Sequence, residues 1–85
     1  MNKLYVGNLD YNVTTDQLRD FFAEAGEITD AIVITDKFSG RSKGFGFVEF
    51  KNADDAKKAV EMYNGKDFNG RALVVNEARA KEERN

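Results

Sequence analysis

The fold is decided by the stretch Lys43-Gly44-Phe45-Gly46-Phe47-Val48-Glu49-Phe50. Its composition predicts a β-strand over Gly44–Phe50, and successive side chains of a strand point to opposite faces of a sheet. Val48 therefore lies on one face, whereas Phe45 and Phe47 lie on the other. Because the apolar Val48 face needs a covering layer, the two phenylalanines are left on the opposite face, which is open unless a second layer covers it.

Five further elements are predicted around this strand. Short alternating or β-branched runs predict strands at Lys3–Gly7, Ile28–Thr35 and Leu73–Ala78. Helical periodicity predicts one helix after Thr14 and a second after Asn52. The order β-α-β-β-α-β predicts an α/β (α+β) sandwich of the ferredoxin-like class. In this class a four-stranded antiparallel sheet carries both helices on one face.

Local signals mark the helix ends and a turn. Thr14 and Gln17 have the spacing of a capping box at the start of the first helix. Gly26 suits the left-handed position that ends a helix. Asn69-Gly70 predicts a tight turn before the last strand.

Alternation assigns further residues to the open face. Besides the two phenylalanines, this face receives Lys3, Tyr5, Ile32, Ile34, Val74 and Asn76. The covered face receives Leu4, Val6, Ile28, Ala31, Val33, Leu73 and Val75. Exposed aromatic and isoleucine side chains form an apolar patch, and such patches mark binding surfaces. With Lys3, Arg41 and Lys43 nearby, the patch suits a partner with flat π-faces and negative charge, as in single-stranded nucleic acid.

The composition excludes several classes of function. The 85 residues suffice for one domain, and they include neither cysteine nor histidine. Thiolate sites are therefore excluded, and the commonest general base and metal ligand is missing, so no metal or cofactor is expected. No leader and no membrane-spanning run is recognised, which predicts a cytoplasmic protein. The net charge of −2 argues mildly against nucleic acid, although acidic residues concentrate in the predicted helices.

The chain resembles the RNA recognition motif (RRM) family. Lys43–Phe50 matches every position of that family's octapeptide, and Leu4–Leu9 looks like its hexapeptide in the first strand. The similarity extends from Asn2 to about Arg79, which predicts an RRM domain over residues 1–79 and a charged tail over residues 80–85. Asn76–Arg79 and Lys37–Gly40 look most like small single-RRM proteins of bacteria.

This resemblance implies a role for each matching residue. Tyr5 and Phe45 would stack successive bases, and Phe47 would pack against sugars. Lys43 would pair with phosphate, helped by Arg41 and Lys3, with Arg79 as a further cation. Base edges would be contacted by Asn8, Asn76 and the backbone near Ala78, and Ile34 would contribute to the apolar surface. Asn8 is equally well explained as a turn former after the first strand.

The expected partner is single-stranded RNA, with single-stranded DNA as an alternative, bound by a monomer without catalysis. Post-transcriptional regulation or an RNA chaperone-like role would follow. Two other classes remain open. Ferredoxin-like folds also support small enzymes, although no nucleophile–base pair or Gly-rich loop preceding a helix is recognised here. A protein-interaction module would account for the acidic net charge.

Overall fold

The structure is a computed structural model that describes residues 2–78. Its two helices, α1 and α2, each lie between two strands of one sheet, as the predicted order requires. A 3₁₀ turn over Ala23–Ala25 follows the first helix. In chain order, the elements are β1 Lys3–Gly7, α1 Thr15–Phe22, β2 Ile28–Thr35, β3 Ser42–Phe50, α2 Ala53–Tyr63, β4 Asp67–Phe68, β5 Arg71–Ala72 and β6 Val74–Glu77.

The four long strands form one antiparallel sheet in the order β2-β3-β1-β6. This confirms the ferredoxin-like α/β sandwich, with both helices packed on one face of the sheet. The first and last strands of the unit thus lie side by side at the centre and one edge. β3 lies between β2 and β1, so the predicted aromatic strand occupies an inner position of the sheet.

The start of α1 follows the predicted capping box. The Thr14 hydroxyl accepts a hydrogen bond from the Gln17 backbone N–H (3.2 Å), and the Gln17 side chain accepts one from the Thr14 N–H (3.1 Å). The prediction for Gly26 is wrong, because its φ of 163° is extended rather than left-handed. A glycine is needed there for space, since a β-carbon would collide with the Asp55 carboxylate of α2.

The segment before β6 differs from the prediction. Asn69 and Gly70 form the expected tight turn, both with positive φ (54° and 84°), as a type I′ hairpin requires. The turn joins β4 and β5, a short hairpin beyond the six predicted elements. Leu73 is not part of the last strand, because its N–H donates to the Lys66 carbonyl (2.9 Å).

The core lies between the sheet and the helices, and its side assignments follow the predicted alternation. The fully buried residues with the largest side chains are Tyr63, Phe22, Phe50, Leu4, Leu9, Leu18, Leu73, Val6, Val48 and Val75. A register shift between Ile28 and Asp30 explains how Ile28 and Ala31 share a face despite their odd spacing. Phe21, expected in the core, is only half-buried, and Phe22 supplies the fully buried ring of α1.

Candidate nucleic-acid interface

Three aromatic rings gather on the sheet face opposite the helices. Ring centroids of Tyr5 and Phe45 are 5.8 Å apart, those of Tyr5 and Phe47 are 6.0 Å apart, and those of Phe45 and Phe47 are 6.2 Å apart. All three side chains are half-buried. We call this group the aromatic platform. Both helices pack on the other face, so within residues 2–78 no helix covers the platform.

The rings of the platform do not share one orientation. Tyr5 and Phe45 are inclined by only 33°, so their faces are directed to nearly the same side. Phe47 is perpendicular to Phe45 (90°) and inclined by 65° to Tyr5. The Lys3 ammonium lies 5.1 Å from the centroid of the Phe47 ring, at a cation–π distance. Two rings are thus oriented alike, and the third is turned and partly occupied by a cation.

Gly7 explains the position of Tyr5, and this residue was missed by the sequence prediction. A β-carbon at Gly7 would lie 2.6 Å from the Tyr5 hydroxyl oxygen and 2.8–2.9 Å from two ring carbons. The tyrosine ring therefore lies along its own strand, over the glycine two residues ahead. Gly7 does not have a positive φ, so space rather than backbone conformation requires a glycine. The i, i+2 spacing of Tyr5 and Gly7 was the signal available in the sequence.

The neighbouring strands place the remaining predicted residues around the platform. Asn76 lies opposite Tyr5 in the β1–β6 pairing and is exposed, at the β6 edge of the platform. On the other side, Ile32 is opposite Phe47 and is 48% exposed, and Ile34 farther along β2 is half-buried. Lys3 is paired with Glu49, so its positive charge is offset at this end of the face.

Arg41 and Lys43 lie at the β2–β3 connection and are both exposed. The connection is closed by hydrogen bonds from the Asp36 N–H to the Arg41 carbonyl and from the Gly40 N–H to the Asp36 carbonyl, both 2.7 Å. The Asp36 carboxylate accepts from the Phe38 and Ser39 N–H groups. These bonds, led by that of Phe38, lower the pKa of Asp36, and the positive charge of Lys43 adds to the effect. The turn is thus ordered with both cations at its β3 side.

Two predicted base-contacting groups are engaged elsewhere. The Asn8 amide donates to the Ala72 carbonyl (2.7 Å) and accepts from the Arg71 guanidinium (2.9 Å), with Asn8 in the left-handed region (φ 59°). This arrangement favours the turn-forming explanation of Asn8 over base contact. Ala78 is buried, and its N–H donates to the Lys3 carbonyl (2.8 Å), so only its carbonyl oxygen could reach a base. Arg79 and the tail over residues 80–85 lie outside the described residues.

The described part of the chain contains no cluster of acidic side chains arranged to hold a metal ion. None of its helices is long and apolar enough to cross a bilayer. The arrangement that remains is an aromatic surface with cations at two of its borders.

The comparison with protein families agrees with this geometry. A family described as RNA recognition motif matches residues 4–74, which include both the hexapeptide in β1 and the octapeptide in β3. The chain belongs to the RNA recognition motif family. Its βαββαβ sandwich is the RRM fold, and the aromatic platform lies on the strands that carry the two RRM motifs.

Curated relatives come from plants. The chain is 46% identical over 80 residues to the 29 kDa ribonucleoprotein A, chloroplastic, of Nicotiana sylvestris, with 94% of this chain and 29% of the relative covered. It is 42% identical over 81 residues to the small RNA-binding protein 11, chloroplastic, of Arabidopsis thaliana, with 95% and 56% covered. The chain therefore spans between about a third and about half of the length of these RRM relatives.

These relatives correct two expectations. The predicted cytoplasmic location is wrong by this comparison, because the relatives carry the word chloroplastic in their names. The absence of a recognisable leader was a weak basis, since a leader is a property of a whole precursor. The resemblance to small bacterial proteins likewise finds no support, because it depended on two short segments that many RRM domains can share.

Solved structures give the same RRM fold. The structure of the RNA-binding protein PG1 superposes with a TM-score of 0.88 at 45% identity, covering 92% of this chain and 94% of that one. The Rna15 RRM with bound RNA (GU) superposes with a TM-score of 0.83 at 28% identity, covering 91% and 82%. An RRM of this backbone geometry thus occurs in a complex with RNA.

Proposed function

We propose that this RRM binds single-stranded RNA on its open sheet face and performs no catalysis. The observation that carries the proposal is the aromatic platform, whose three rings lie within 5.8–6.2 Å of one another opposite the helical layer. Flat aromatic rings at the surface stack nucleobases, and each stacked base contributes roughly 1–3 kcal/mol. The Rna15 complex supports the choice of RNA as the ligand.

The ring orientations support a division of roles. Tyr5 and Phe45, inclined by 33°, would each receive the face of one base. Phe47 is turned by 90° from Phe45 and carries the Lys3 ammonium over its ring, so it would pack against a sugar instead. Unstacked bases that are spread over such rings are the usual targets of sequence-specific RNA recognition. The bound strand would therefore have its bases splayed across β1 and β3.

The surrounding polar groups would position the strand. Lys43 and Arg41 are exposed at the start of β3 and would contact phosphates, and Lys3 would do so at the opposite end. Asn76, beside Tyr5, would hydrogen-bond to a base edge. Glu49 is opposite Lys3 and opposes phosphate there, so we expect the cations near β3 to contribute more. Arg79 and the Ala78 carbonyl would extend the contacts at the end of β6.

Further properties follow as parts of the same proposal. Residues 1–79 would form the binding domain and residues 80–85 a charged tail. The domain would act as a monomer on a footprint of a few nucleotides, with micromolar or weaker affinity for a generic strand. Single-stranded DNA is an alternative ligand, because stacking does not distinguish the two sugars. The names of the plant ribonucleoproteins support a post-transcriptional or RNA chaperone-like role.

Binding of a randomised single-stranded RNA, measured by fluorescence anisotropy at a stated salt concentration, tests the proposal. Phe45→Ala should weaken binding roughly 5- to 150-fold, the equivalent of one lost stack. Phe68→Ala is the matched control, because Phe68 packs against the core on the helical side. It should bind as the wild type does, well below its melting temperature. Equal affinities of wild type and Phe45→Ala would refute the proposal and favour a protein ligand.

A further inference from the structure

Tyr11 lies in the connection between β1 and α1 and is 70% exposed. The connection is ordered by two hydrogen bonds to Asp10: its carboxylate accepts from the Asn12 N–H (2.9 Å), and its carbonyl accepts from the Val13 N–H (3.0 Å). A rigid aromatic side chain held in solvent at this place has no packing role that explains it.

The Tyr11 ring is adjacent to the platform strand. A β-carbon at Gly44 would lie 3.0 Å from Tyr11 Cε1 and 3.7 Å from Cδ1, so the edge of the ring rests on Gly44. Gly44 adopts a φ of 86° and accepts a hydrogen bond from the Leu9 N–H (2.8 Å), which draws this connection against the start of β3. Gly44 stands between Lys43 and Phe45 in the chain. The position of Tyr11 is thus continuous with the platform.

A groove of about 420 Å³ opens beside Tyr11. Its polar lining comes from the start of α1, the end of β2 and the start of β3, and none of its lining residues is charged. Arg41 and Lys43 flank the lining residue Ser42 in the chain. An anionic strand therefore meets no carboxylate on the groove wall and two cations beside it.

The hydroxyl groups of the groove are prepared to donate. Thr15 Oγ1 accepts from the Val33 N–H (3.0 Å), and Ser42 Oγ accepts from the Gly44 N–H (3.0 Å). A hydroxyl that already accepts keeps its own proton for another acceptor. Thr35 and Asn12 add a hydroxyl and an amide to the lining. Phosphate oxygens, ribose hydroxyls and base carbonyls are the acceptors that a nucleotide offers.

We infer that Tyr11 and this groove form an additional nucleotide subsite for single-stranded RNA, beyond the bases held by the platform. The base stacks on the Tyr11 ring, and the sugar or phosphate lies against the hydroxyl-bearing groove. The inference rests on the proposed function, because the strand must first occupy the platform. The start of β3, with Lys43 and Gly44, joins the two sites.

The test is a series of oligouridylates and oligoadenylates that starts at about three nucleotides, the number of bases that a sheet of this family stacks. The series grows by single nucleotides, separately at the 5′ and the 3′ end. For the wild type, affinity should rise in one step of roughly 5- to 150-fold at one end, the contribution of a further stacked base. Tyr11→Ala should lose this step and retain the affinity for the shortest oligonucleotide.

Three variants serve as controls. Tyr11→Phe keeps the ring and should keep the step. Thr35→Val preserves side-chain shape in β2, removes one groove hydroxyl and should reduce the step only in part. Phe38→Ala removes a different exposed aromatic, 93% exposed in the β2–β3 turn and absent from the groove lining, and should leave the step intact. Melting temperatures should be nearly equal in all three variants and in Tyr11→Ala, because the changed groups are exposed.

Each outcome decides the matter. A wild type without a length step, or a step that survives Tyr11→Ala, overturns the subsite. Loss of the step in Phe38→Ala moves the extra contact to the β2–β3 turn and overturns it as well. If Tyr11→Ala weakens binding equally at every length, the residue belongs to the platform and there is no separate subsite. Phe45→Ala separates the two ideas, since undiminished binding at every length would refute the proposed function itself.

Discussion

Two aromatic clusters lie on opposite sides of the same sheet, and they are built differently. On the covered side, the Phe21 and Phe68 rings stack at 4.1 Å and 15°, and Phe22 and Tyr63 are 4.4 Å apart. On the open side, the ring centroids of the platform are 5.8–6.2 Å apart. The covered rings are pressed together by the helices and the β4–β5 hairpin, whereas the platform rings are spaced by their strands.

This difference teaches that residue type alone does not decide the function of an aromatic side chain. A phenylalanine between two layers stabilises the fold because its surface is removed from water. The same residue on an uncovered face keeps an apolar surface that a ligand can cover. The covered cluster should therefore respond to substitution through stability, and the platform through binding.

The largest expected effect separates Phe22 from Phe45. Phe22→Ala should reduce the free energy of unfolding by about 3–5 kcal/mol, because it removes a fully buried ring and leaves a cavity. Phe45→Ala should cost far less stability, since its ring is half-buried on the open face. Urea unfolding of both variants measures the difference. Phe21→Ala should fall between them, because that ring is only partly buried against Phe68. Equal losses for Phe22 and Phe45 would contradict the assignment of the two faces.

The next effect concerns how the open side holds its rings. Gly7→Ala should leave stability unchanged or raise it slightly, because this φ suits alanine and the unfolded chain loses freedom. The new methyl group would displace the Tyr5 ring, and RNA affinity should fall by up to roughly 1–3 kcal/mol, the contribution of one stack. Anisotropy titrations measure the loss. In a Tyr5→Leu background, Gly7→Ala should have no further effect, and additive losses would contradict the positioning role.

Salt dependence is expected only for the open side. Three or four phosphate contacts on a single strand give a log–log slope of roughly −2 to −3 between affinity and salt concentration. Lys43→Ala should reduce the magnitude of this slope by about 0.7, the counterion release of one contact. Phe45→Ala should lower affinity at every salt concentration without changing the slope. A wild-type slope near zero would contradict the phosphate contacts.

The smallest effect belongs to the covered side, at the Tyr63 hydroxyl. It is buried without a hydrogen-bond partner among the described residues, and burial, with the negative charge of Glu24, raises the pKa of Tyr63. Tyr63→Phe should therefore be neutral or stabilising by up to about 1 kcal/mol at neutral pH, because an unpaired polar group is removed. Urea unfolding measures this change. A clear loss of stability in the variant would indicate a partner for the hydroxyl.

The same group predicts a pH dependence. Since the pKa of Tyr63 in the folded state lies above its unfolded value of about 10, its contribution to stability is complete below that pH. The contribution is lost as the pH rises through the folded-state pKa. Tyr63→Phe should abolish this part of the alkaline destabilisation, and unfolding curves at rising pH would show it. The exposed Tyr11 serves as the control, because Tyr11→Phe should leave the alkaline profile unchanged.

Much of the site could be predicted because it depends on short-range order. Alternation along β1 and β3 was enough to place Tyr5, Phe45 and Phe47 on one face, and the capping box at Thr14 located the start of α1. These features arise from neighbours in the chain, whose geometry the strand and helix periods dictate. Single-stranded RNA as the ligand followed from the two motifs, and family membership and the Rna15 complex support it.

Other features depended on residues that are distant in the chain. Asn8 was left between turn former and base contact until its amide was found bound to Arg71 and Ala72, more than sixty residues away. The strained end expected at Gly26 became a close approach to Asp55 of the other helix. The sequence pattern contains no information on these pairings, because loop conformation and helix docking bring the groups together.

The sequence by itself thus determined the βαββαβ order, the two faces of the sheet and the residues of the platform. Only the tertiary structure decided the tilt of Phe47, the seat of Tyr5 over Gly7 and the contact of Tyr11 with Gly44. The physical reason is that strand alternation selects the face on which a side chain lies. Its orientation on that face depends on packing against residues that the folded chain brings near.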